Sequence, residues 1–175
     1  MTGTAGRREE LDLRGRLKMF DPDGTLVADC REIWTLIESE KEALCRKFWT
    51  GYGRSAALPT PIDPAKVDGL VRRILPYLES KHVRLDEQGW VDQAAEHVAG
   101  AAGANISLTS IFAGCAELSA AVQEIIVEKT IDEPERCRRL VSSYTRMALL
   151  QVDVYAAHYD RLAERSEERR VGKEC

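Results

Sequence analysis

Apolar residues recur at three- and four-residue steps along most of the chain, the repeat of helices with one buried stripe each. The spacing predicts a short helix over Glu9 to Met19, stopped by Asp21-Pro22. A long helix is expected from near Asp23 to about Tyr52. Its stripe is Leu26, Cys30, Ile33, Trp34, Ile37, Leu44, Phe48 and Trp49, and Gly51, Gly53, Pro59 and Pro61 end it. Asp63-Pro64 reads as a cap with proline in the first helical position. The helix behind it carries Val67, Leu70, Val71, Ile74, Leu75 and Leu78, with a kink or early stop expected at Pro76. A shorter helix from about Asp86 to Ala101 bears Trp90, Val91, Ala94, His97 and Val98 on one side. Two long helices follow, Asn105 to about Lys129 and one beginning at Pro134. The last runs past Tyr159 and could continue through the charged stretch Arg161 to Arg170.

Alternating β-branched runs with hairpin signals are absent, so the expected class is all-α. The helices are unequal and keep no heptad seam, unlike a regular four-helix bundle. At 175 residues with 44% hydrophobic content, the chain has the length and apolar fraction of one domain with a real core. The net charge of −4 gives no basic surface for a sequence-independent grip on nucleic acid. Cys30, Cys45, Cys115, Cys137 and Cys175 are odd in number and lack CxxC spacing, which disfavours a disulfide scaffold or a four-thiolate zinc site. The polar start and the polar residues within Ala99 to Val122 argue against a signal peptide and a membrane span, so a cytoplasmic location is expected.

No nucleophile elbow, phosphate-cradling glycine loop or HExxH pattern is present, and the chain is not expected to be an enzyme. Of the three histidines, His82 falls in what reads as a solvated loop and His158 in the stripe of the last helix as a structural residue. His97 falls on the apolar side of its helix. It is either a core histidine satisfied by a backbone carbonyl or a metal or cofactor ligand, since neutral imidazole is the usual axial donor to haem iron. The small residues Ala99 to Ala104 behind it suit a large flat ligand, close helix packing or simple flexibility. Phe48, Trp49 and Tyr52 form an aromatic cluster that reads as core packing. Trp49 and Tyr52 also carry donors for a polar ligand.

Three stretches carry a family resemblance: RLKMFDPDGTLVADCREIWTLIESEKEALCRKFWTGY, DGLVRRILPYLESKHVRLDEQGWV and EHVAGAAGANISLTSIFAG. Within roughly residues 13 to 159, their order resembles the N-terminal sensor domain of globin-coupled sensors, as in bacterial chemotaxis transducers and diguanylate cyclases. The resemblance implies a globin-like fold over residues 1–160, with a short pre-helix and two long C-terminal helices. Residues 161–175 would be a charged linker or appended tail. It implies haem as cofactor, His97 as proximal iron ligand, and Trp49 at the distal position. Tyr52 is the substitute donor and Phe48 sits beside them. The function implied is a haem-based gas (oxygen) or redox sensor. It would pair as a homodimer through its two C-terminal helices, take a diatomic gas as ligand, and regulate a C-terminal output domain absent from this chain. The alternative is a globin-like sensory or dimerisation module that binds no haem; an unrelated helical scaffold stands behind both.

Overall fold

Asp12 opens the first helix by accepting a hydrogen bond from the Gly15 amide at 2.9 Å, satisfying one of the donors that a helix start leaves free. In the computed structural model, which describes residues 11–55 and 62–171, this helix is α1, Leu13–Phe20. The expected start at Glu9 lies outside the described residues, as do Pro59, Pro61 and Cys175. Asp21 then turns the chain. Its carboxylate accepts from the amides of Thr25 and Leu26 at 2.9 and 3.0 Å, and Gly24 takes the left-handed φ of +70° that the turn requires.

The helix expected from Asp23 to Tyr52 is two. A 3₁₀ turn at Glu38–Glu40 separates α2, Leu26–Ile37, from α3, Lys41–Gly53. The turn residues have no buried side chain to hold them in line, and the break lets α2 lie on the last helix while α3 crosses α6. Asp63 caps a 3₁₀ turn at Pro64–Lys66 that leads into α4, Val67–Val83. Of the kink or early stop expected at Pro76, the early stop does not occur: α4 runs seven residues beyond it. Pro76 and Arg72 are both exposed, so water can bond the carbonyl that the missing N–H leaves free.

The next helix, α5, spans Gly89–Gly103 and is anchored where the Trp90 indole N–H donates to the Leu85 carbonyl at 2.8 Å. Asn105 adopts a left-handed φ of 57°, which delays α6 to Leu108–Lys129 behind a Ser107 cap. The last helix, α7, runs from Pro134 to Val171, 38 residues or about 57 Å at 1.5 Å per residue. Among the described residues there is no strand, and the fold is all-α.

Beside the consecutive pairs α6–α7 and α3–α4, helices distant in the chain pack together: α3 on α6, α2 on α7 and α5 on α7. The α3–α6 crossing is the closest, because each helix presents a glycine. A Cβ at Gly51 would lie 2.6 Å from the Ala113 carbonyl oxygen, and one at Gly114 would lie 2.7 Å from the Phe48 ring. By length and composition α6 could cross a membrane, yet 44% of its most apolar window is buried within this core.

Polar contacts fix α7 against α2. Asp29, only 3% exposed, accepts from the Ser143 hydroxyl at 2.6 Å and pairs with Arg139, which also bonds Glu32 at 2.7 Å. Asp29→Asn keeps an acceptor for Ser143 but removes the ion pair. We expect a loss of about 1 kcal/mol in urea unfolding, kept small by the exposure of Arg139.

Candidate functional site

On α4 the apolar stripe Val71, Ile74, Leu78 continues, at steps of three and four, into Lys81 and His82. Both are therefore carried into the core, at 1% and 0% exposure. For His82 this overturns the expectation of a solvated loop: α4 extends to Val83, so His82 sits in its last turn. The ring Nδ1 donates to the Leu78 carbonyl at 2.7 Å. The ring stacks with Tyr144, centroids 6.2 Å apart, and its Nε2 has no partner. Burial, reinforced by the neighbouring Lys81 charge, lowers its pKa to about 3, so it is neutral.

The Lys81 ammonium donates to Gln151 Oε1 on α7, and Gln151 Nε2 donates in turn to Cys115 Sγ on α6 at 3.4 Å. The lysine nitrogen also sits over the Tyr77 ring, 5.6 Å from its centroid. Burial lowers the Lys81 pKa to about 8, partly offset by Cys115, Cys45 and Cys30. Burial pushes the Cys30 thiol up to about 12, and those of Cys45 and Cys115 to about 11. A cavity of about 10 Å³ adjoins the lysine, lined by Cys45, Phe48, Tyr77, Leu118 and Tyr155 among others.

The sequence-derived site residues fall around this centre. His97 is half-buried at the edge of the α5 apolar face, its ring edge-on to Tyr77 with centroids 5.0 Å apart. Desolvation lowers its pKa, opposed by Glu96 and assisted by Arg73. Phe48, Trp49 and Tyr52 make one aromatic cluster on α3, with centroid separations of 5.1, 5.2 and 5.9 Å. The Trp49 indole N–H is buried without a partner, and burial raises the Tyr52 pKa. The ring contacts of the described residues include none between His97 and the cluster. Tyr77 links them, touching His97 and lining the small cavity with Phe48.

This arrangement does not fit a haem. A ligand of that size needs a cavity of about 300 Å³ or more, whereas Tyr77, Lys81, Gln151 and Tyr155 leave about 10 Å³ beside Phe48. A larger groove of about 610 Å³ lies between α5 and the later part of α7, lined by Gln88, Asp92, Glu96, His158, Arg161 and Arg165. His97 does not line it. His158, half-buried there, has a lowered pKa, chiefly through desolvation and then the Arg161 charge. Among the described residues no group of three or more His, Cys, Asp or Glu side chains is placed to hold a metal ion.

Sequence reasoning did not single out Lys81, Tyr77 or Gln151. Their signal was available as a lysine and a glutamine on apolar stripes, Lys81 seven residues after Ile74, and Gln151 seven after Tyr144 and four before Tyr155. No protein-family model and no curated protein matches the chain.

Proposed function

We propose that the protein is a globin-like sensory module that works without haem and pairs with a second copy through α6 and α7. One observation carries the reading over a haem sensor. The centre between His97 and the Phe48–Trp49–Tyr52 cluster is filled by Tyr77 and a lysine-centred polar chain, leaving no room for a macrocycle. The non-sequential pairing of α2 with α7 and α3 with α6 supports a globin-like arrangement over an up-and-down bundle.

The partner surface follows from charge. Ala116 and Ala120 on α6 and Leu149 on α7 are exposed, with the half-buried Phe112, Val141 and Val152 beside them. The Gln123–Thr145 hydrogen bond at 3.2 Å marks where the two helices adjoin. From Val141 to Tyr159 the α7 part of this surface carries no charged side chain, in a chain that is 31% charged. An isologous contact sets a patch against its own copy, so any charge there would meet its like; an uncharged face avoids that penalty. Leu149, 53% exposed, stands in the middle of it.

The output would travel along α7. Its core packing reaches Leu162, while Ala163, Glu164 and Arg165 are exposed beyond it. A ligand that prefers one packing of α7 shifts the population of that packing, and only by its differential affinity. Leu149→Glu is expected to convert a dimer into a folded monomer in sedimentation at micromolar concentration, with an unchanged helical spectrum. A wild-type chain that sediments as a monomer would overturn the proposed pairing.

A further inference from the structure

The groove between α5 and the later part of α7 has a volume of about 610 Å³, within the range of about 300 to 1,000 Å³ that small-molecule sites occupy. Its two walls carry opposite charge. On α5, Asp92 and Glu96 line it four residues apart, both exposed. On α7, Arg161 and Arg165 repeat that spacing, with Arg165 exposed. Residues four apart on a helix share a face, so each wall presents a short row of one sign. Leu11 from the segment before α1, Ala95 from α5 and Leu162 from α7 supply apolar lining. An anion alone would meet the carboxylates of α5, and a cation alone the guanidinium groups of α7. A guest with one positive and one negative end satisfies both walls. Packed helices lie about 8 to 10 Å apart, and an extended chain grows by about 3.5 Å per residue. The ammonium and carboxylate of a single amino acid sit on one carbon, whereas those of two or three linked residues reach from wall to wall.

We infer that this groove binds a short apolar peptide of two or three residues with free termini, its ammonium held by Asp92 and Glu96 and its carboxylate by Arg161 and Arg165. Arginine suits the second task because its planar fork matches a carboxylate. The apolar side chains of the guest lie against Leu11, Ala95 and Leu162. The guest bridges α5 to α7 at Leu162, where the core packing of α7 ends. It therefore fixes the helix at the point from which the output leaves. That consequence rests on the proposed reading of α7; the binding itself does not, since His97 and the α3 aromatic cluster do not line the groove.

The test is isothermal titration calorimetry of the full chain with leucyl-leucine, its N-acetyl derivative and its C-terminal amide. Leucyl-leucine should bind saturably, and blocking either terminus should weaken it about fivefold, the upper end for exposed ion pairs. Glu96→Gln should weaken leucyl-leucine and leave the N-acetyl derivative unchanged, because the contact it removes is already lost there. Arg165→Gln should do the same for leucyl-leucine and its amide. Both side chains are exposed, so an unchanged helical spectrum is expected in each variant. No saturable heat at millimolar leucyl-leucine, or equal affinities for the three compounds, would overturn the site. A haem band in the visible spectrum, or a monomer in sedimentation, is the separate failure of the proposed function and leaves this titration unaffected.

Discussion

Acidifying the protein from pH 6.5 to pH 5 is expected to cost about 2 kcal/mol of stability through His82 alone. The folded-state pKa is about 3, against 6.5 ordinarily. Between those values the unfolded chain binds the proton and the folded chain does not, so the stability present above pH 6.5 falls as the pH drops. Each pH unit in that window is worth about 1.4 kcal/mol. Burial is the largest cause, the Lys81 charge beside the ring adds to it, and the hydrogen bond from Nδ1 to the Leu78 carbonyl opposes both. His97 and His158, also lowered, add in the same direction. Glu32 is also lowered, its ion-pair hydrogen bonds with Arg139 and Arg136 outweighing burial, but it acts only nearer its ordinary 4.5. Urea unfolding at pH 7, 6 and 5 measures the slope. His82→Phe, which keeps an aromatic ring against Trp34 and Tyr144, should flatten it. An identical slope in that variant would show that His82 is not the buried neutral group described.

Gly114→Ala is expected to destabilise the fold by about 1 to 3 kcal/mol, although alanine for glycine within an exposed helix ordinarily adds up to about 1 kcal/mol. The sign reverses because the added Cβ would meet the Phe48 ring at 2.7 Å and the Phe48 backbone oxygen at 2.9 Å. The ring can turn; the carbonyl belongs to α3 and moves only with the helix. Gly51→Ala meets the Ala113 carbonyl oxygen at 2.6 Å from the other side of the crossing and should cost a similar amount. Gly100→Ala is the control, since nothing lies within 4 Å of its Cβ position, and it should be neutral or stabilising. The midpoint of chemical unfolding, compared across the three variants, distinguishes a packing constraint from a general effect of helix propensity.

The apolar stripes were legible because each helix buries one side, and period alone locates it. The break at Glu38–Glu40 was not: Ile37 and Leu44 are seven residues apart and stay in phase through it. What bends the chain there is the demand that α2 meet α7 while α3 meets α6, a tertiary fact. Pro76 misled for a related reason, since a proline on the wet side of a helix can leave its carbonyl to water. Lys81 and His82 lay in plain view on the α4 stripe, but the kink or stop expected at Pro76 put His82 in a loop, while its place on the stripe argued for the core. Position decided, because α4 is packed between α2, α3 and α5. The space between His97 and the α3 aromatic cluster was beyond a sequence reading, as alanine and glycine behind His97 suit a pocket and a closed core equally.

The absorption spectrum of protein purified from haem-supplemented cells, beside His97→Ala, tests the account most directly. With the centre filled by Tyr77 and Lys81, both proteins should be colourless, folded, and indifferent to added haem. A stoichiometric Soret band in the wild type that is lost in His97→Ala would contradict the account and restore His97 as an iron ligand.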